Sequence, residues 1–124
     1  MDASSQNQRT AASLEDNLKK ALTELLVLHL LRQREYFIGE LITDIEEKSR
    51  GALSIVFPYG VIYRMTSAGY ITESGKRVAP DGRLRQFYRI TDEGSAYLSD
   101  LLTTYRRFTA GVMDVLNTGG DKHA

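Results

Sequence analysis

Between Lys76 and Arg89 the chain sets five cations, Lys76, Arg77, Arg83, Arg85 and Arg89, against one acid, Asp81, a local charge of +4. Cations at strand spacing can neutralise a row of phosphates. They also suit a plain edge hairpin that uses charge to resist aggregation. That second use normally mixes both signs, and here only Asp81 dissents. Within the same stretch, RQFYRITDEG sets Phe87 and Tyr88 between Arg85 and Arg89. An aromatic on a strand can stack on a base or a ligand, but it is more often core. Arg89 also fits an internal ion pair with an acid further up the chain.

A second group is spaced for recognition. In PYGVIYRMTSAG, helical spacing turns Ile62 and Met65 one way and Tyr59, Tyr63, Arg64 and Ser67 the other. Arg64 can meet a guanine edge or a phosphate, or simply face solvent. Tyr59 and Tyr63 can donate to phosphates, or lie half-buried against a neighbouring helix. Other chemistry is poorly supplied. The chain has no cysteine, so thiol nucleophiles, disulfides and thiolate metal sites are excluded. Its two histidines, His29 and His123, stand apart with no acids at ligand spacing. There is no GxGxxG, Walker loop, GxSxG or HExxH. We expect no catalytic residue, no metal site and no cofactor.

These groups need elements to position them. Residues 1–12 carry almost no large apolar side chain and read as a disordered arm. Ser13 can cap a first helix that runs to about Gln33, apolar nearly all round at LLVLHLL. A second helix spans about Ile38 to Ser49, with Gly51 as its stop. ALSIVF reads as a brief strand. Pro58 opens a third helix that Gly69 closes. Two strand-like segments then flank the turn Pro80-Asp81-Gly82. In the second, Leu84, Gln86, Tyr88 and Ile90 form the inward face and Arg83, Arg85, Phe87 and Arg89 the outward one.

Thr91 or Asp92 caps a long last helix, about 24 residues and roughly 36 Å at about 1.5 Å each. Its seam holds Leu98, Leu101, Leu102, Tyr105, Phe108, Val112 and Leu116. With Leu18 and Leu22 of the first helix, these are the residues expected to meet a second copy. The fold class is mainly α with a small β-hairpin: a winged helix-turn-helix over 13–91, a dimerisation helix over 92–117 and a flexible tail over 118–124.

The whole-chain totals agree. A length of 124 residues suits one domain, and 42% apolar with 26% charged residues is ordinary for a soluble globular protein. Sixteen bases balance sixteen acids, so this is no generic polyanion binder. No apolar run approaches the about 18–20 residues of a membrane span. The polar start, MDASSQNQRTAASLEDN, lacks the apolar core of a secretory signal, and a cytoplasmic location is expected.

Three stretches resemble the PadR family of transcriptional regulators: RQFYRITDEG, YGVIYRMTSAGYI and LLVLHLLRQREYFIGELITDIEEKSRG. The resemblance covers about Leu22 to Leu116. Ile38-Gly39 stands where the family has Gly-Tyr, Gly60 where it has Pro, and Tyr63 where it has a second base. The resemblance implies a dimeric DNA-binding regulator, a repressor released by a small aromatic effector, with a near-palindromic operator. The DNA-binding residues implied are Tyr59, Tyr63, Arg64 and Ser67 on the third helix and Lys76, Arg77, Arg83 and Arg85 on the wing. The alternative reading is a winged-helix protein-interaction module that dimerises without reading DNA.

Overall fold

The structure, a computed structural model, describes residues 3–119. Helix α1 runs Ala3–Gln33, so it begins well before the expected start at Ser13 and takes up 3–12 of the expected arm. No Gly or Pro interrupts 3–33, and a helix already propagating through Ala, Gln and Arg tolerates Thr10 and Ser13. Residues 120–124 of the expected tail lie outside the described residues, as do residues 1 and 2.

A two-residue strand, β1 (Tyr36–Phe37), follows α1 and was not expected. Two residues are too few to show a period. Helix α2 (Ile38–Lys48) starts at once, and the Phe37 N–H donates to Glu40 Oε1 at 3.2 Å. Leu41 and Ile45 are its inward residues. The loop after α2 carries no strand at ALSIVF. Instead Leu53 and Ile55 pack on the core, and the Leu53 N–H donates to Ser49 Oγ at 3.0 Å.

Helix α3 (Pro58–Ser67) has Pro at its start and buries Val61, Ile62 and Met65. It ends at Gly69, whose φ of 84° would strain any residue with a Cβ. Strands β2 (Ile71–Val78) and β3 (Leu84–Ile90) pair antiparallel, and β1 takes the other edge of β3, giving the order β1-β3-β2.

The wing faces differ from the expected alternation. Phe87 is buried and Leu84 is 65% exposed. β1 reaches only Phe87 and Tyr88, and the Phe37 and Phe87 rings meet edge to face at 5.5 Å. The far end of β3, where Leu84 lies, has nothing beneath it.

Helix α4 (Asp92–Leu116) is capped by Thr91, whose side chain accepts from the Gly94 N–H. The same hydroxyl donates to the Gly69 carbonyl at 2.6 Å, tying the end of α3 to the start of α4. Gly94 sits so close to β2 that a methyl there would overlap the Tyr70 carbonyl oxygen. One turn on, Tyr97 stacks on Tyr70 at 4.1 Å. Leu98 is fully buried in its own chain. This corrects its expected place in a dimer seam, because the first turns of α4 close the core formed by Leu28, Leu41, Met65 and Ile71.

Candidate nucleic-acid interface

The outward side of α3 follows from its inward one. With Val61, Ile62 and Met65 fixed in the core, helical spacing leaves Tyr59, Tyr63, Arg64 and Ser67 outside. Tyr59 is 73% exposed and Tyr63 is 76% exposed, so neither lies against α2. Arg64 is exposed too, but its guanidinium leans back to Glu24 of α1 at 3.8 Å. Glu24 also lies near Tyr97, and burial, then the Glu24 charge, raises the Tyr97 pKa. The three side chains join α1, α3 and α4.

Two of the wing cations are engaged within the chain. Arg77 reaches Glu35 at 2.6 Å and lies 4.0 Å above the Phe87 ring. Arg85 reaches Asp81 at 2.7 Å and lies over Phe37. The Asp81 carboxyl is held below its usual range, first by the Arg85 hydrogen bond and then by the Arg83 backbone N–H. Lys76, Arg83 and Arg89 are exposed and have no ion pair among the described residues.

The internal pair considered for Arg89 is therefore not formed. Two acids of α2 are used elsewhere: Asp44 takes Lys48 at 3.1 Å and the Tyr36 hydroxyl at 2.7 Å, and Glu40 takes Arg34 at 3.4 Å. The Tyr36 hydrogen bond comes first among the causes that lower the Asp44 pKa.

The wing and α3 meet in one groove of about 290 Å³, lined by Tyr59 of α3, Leu84, Arg85 and Gln86 of β3, and Phe37. Two exposed residues were missed by sequence reasoning. Phe57, just before α3, is 75% exposed and left-handed at φ 52°. Pro58 bars Phe57 from the right-handed region, but nothing in the sequence selects the left-handed one. Val78, paired with Leu84 at the wing tip, is 69% exposed because no third strand reaches it.

Away from this face, α1 and the second half of α4 enclose an apolar groove of about 520 Å³. Leu18, Leu22, Leu101, Tyr105, Phe108 and Val112 line it. Leu102 lies on the neighbouring side of α4, half-buried, and Leu116 is 68% exposed at the helix end. No helix is long and apolar enough to cross a membrane among the described residues.

Comparison with known proteins places this arrangement. The chain resembles a PadR family transcriptional regulator from Eggerthella lenta, with a TM-score of 0.74 and 23% identity over 91% of this chain and 94% of that one. A Streptococcus transcriptional regulator gives 0.68 and 22%, covering 78% and 94% of the two chains. A PadR-like regulator from Bacillus cereus gives 0.66 and 23%, covering 77% and 92%. At such identities the likeness is one of fold. No match is found among curated proteins. The model of the transcriptional regulator PadR-like family matches residues 27–100, from the middle of α1 into α4. The chain belongs to the PadR-like family of transcriptional regulators.

Proposed function

We propose that two copies of this chain form a DNA-binding transcriptional repressor. The observation that carries this reading is the shared groove of α3 and the wing, where the exposed Tyr59 stands beside Arg85 and Gln86. A helix with its inward face locked in the core and a cationic hairpin alongside suits a duplex, the helix in the major groove and the hairpin on the backbone. Lys76 and Arg83 contribute charge directly. Arg77 and Arg85 do so once phosphates compete with Glu35 and Asp81.

The second copy covers the stripe of Tyr105, Phe108, Val112 and Leu116, which are 43%, 64%, 55% and 68% exposed in the single chain. A two-fold axis there sets two α3 helices on half-sites about one DNA turn apart, so the operator is near-palindromic. An aromatic effector that enters the apolar groove between α1 and α4 releases the DNA by favouring a different helix angle.

The test is sedimentation equilibrium, alone and with a duplex from upstream of the gene, combined with footprinting. Two chains per duplex and two protected patches one turn apart support the reading. A monomer, or a single patch, contradicts it.

The in-chain pairs Arg77–Glu35 and Arg85–Asp81 favour a second reading, a dimeric interaction module whose wing cations are structural. That reading expects no protected DNA.

A further inference from the structure

Helix α3 offers few groups that read a base edge by hydrogen bonds. Its sequence, PYGVIYRMTS, has no Asn, Gln or Lys and a single Arg. Bidentate contacts to guanine and adenine come from those four residue types. The one Arg, Arg64, is drawn toward Glu24. The Thr66 hydroxyl is spent on the Ile62 carbonyl at 2.7 Å.

What the start of α3 presents instead is aromatic carbon. Phe57, Tyr59 and Tyr63 are each about three-quarters exposed. Phe57 is held out against two costs, a ring left in water and a left-handed backbone at φ 52°. Backbone strain of this kind persists where the surroundings impose it, and it collects at binding sites. The flanking charge suits an anionic polymer: Lys76 and Arg83 are unpaired among the described residues, and Arg85 lines the groove beside Tyr59.

In the major groove, the group that an apolar ring reads is the C5-methyl of thymine. We infer that Phe57 and Tyr59, followed by Tyr63 one turn on, are specificity-determining residues that read thymine methyl groups. Each half-site then carries thymines where it faces the first turns of α3. This inference rests on the DNA-binding reading above and deepens it.

The test uses a duplex that the protein itself selects from a randomised pool, resynthesised with deoxyuridine in place of thymidine. That change removes the methyl and keeps the pairing. Burial of one methyl corresponds to roughly a fourfold change in Kd, so the wild-type protein loses about that factor for each methyl it touches. The salt dependence stays the same, since every phosphate remains neutralised as before. A Phe57→Ala/Tyr59→Ala variant keeps no more than the roughly fourfold difference of a single methyl, the one that Tyr63 reads. Both residues are exposed, and thermal melting checks that the variant is folded.

Equal wild-type affinity for thymine and uracil duplexes, both above a scrambled control, overturns the inference and leaves DNA binding standing. Full discrimination retained by the double variant also overturns it. Absence of binding to every duplex overturns the DNA-binding reading and this inference together.

Discussion

The outward side of α3 and the hairpin of β2 and β3 border one groove, yet they are built in opposite ways. α3 exposes rings and one tethered arginine. The hairpin exposes cations, and two of its arginines are clamped by acids at 2.6 and 2.7 Å. The difference separates two tasks. Charge draws a polyanion irrespective of its sequence, and in-chain acids temper that attraction. Base edges are read only by groups that have a fixed direction, and the core packing of Val61, Ile62 and Met65 gives α3 that fixity.

The largest effect should come from stripping two of the three wing cations unpaired among the described residues. Lys76→Ala with Arg83→Ala weakens every duplex alike and lowers the salt slope by about 0.9 for each phosphate left without its cation. Binding isotherms over a salt series measure both. A weakening confined to one sequence would mean that the wing reads bases.

Gly94→Ala acts on both regions at once, because the added methyl meets the Tyr70 carbonyl beneath the Thr91 junction. It should destabilise the fold by about 1–3 kcal/mol, seen in denaturant unfolding. Unchanged stability would show that the junction yields freely.

Asp81→Asn should raise affinity for all duplexes by less than the double cation change lowers it. It frees Arg85 while keeping an oxygen for the Arg83 N–H, which donates to Asp81 at 3.0 Å. A fall in affinity would assign Asp81 a positive role in docking.

The smallest effect concerns pH and lies away from the groove. The Tyr36 hydroxyl, then Lys48, hold the Asp44 carboxyl below its usual range. A depressed carboxylate contributes stability that is complete above its unfolded pKa of about 4. That contribution is lost as pH falls through the folded value. Asp44→Asn should therefore flatten the acid limb of Tm against pH below about 4, with DNA binding at neutral pH unchanged. An acid limb identical to wild type would remove Asp44 from that role.

The local features were legible in the sequence. Pro58 and Gly69 bracket α3, Pro80-Asp81-Gly82 turns the hairpin, and Thr91 stands where a cap must. Each is set by residues within one or two turns of the event. What the sequence did not show depends on distant partners. The Arg77–Glu35 pair spans 42 positions, and β1 exists only because β3 offers it an edge. The same edge buries Phe87 and strands Leu84 against the expected faces, while Tyr88 and Ile90 pack on the core as expected. Leu98 fits a helical seam equally well whether its cover is its own core or another copy, and only the packed chain distinguishes them. Phe57 gave no signal beyond its place before Pro58.

Recognition of DNA by this chain is tested most simply by fluorescence-anisotropy binding of the purified protein to the duplex just upstream of its own gene and to a scrambled duplex of equal length, over a salt series. Tight binding to the upstream duplex is expected, well above the scrambled control, with affinity for both falling as salt rises. Weak and equal binding to the two would refute it and move the interaction-module reading to first place.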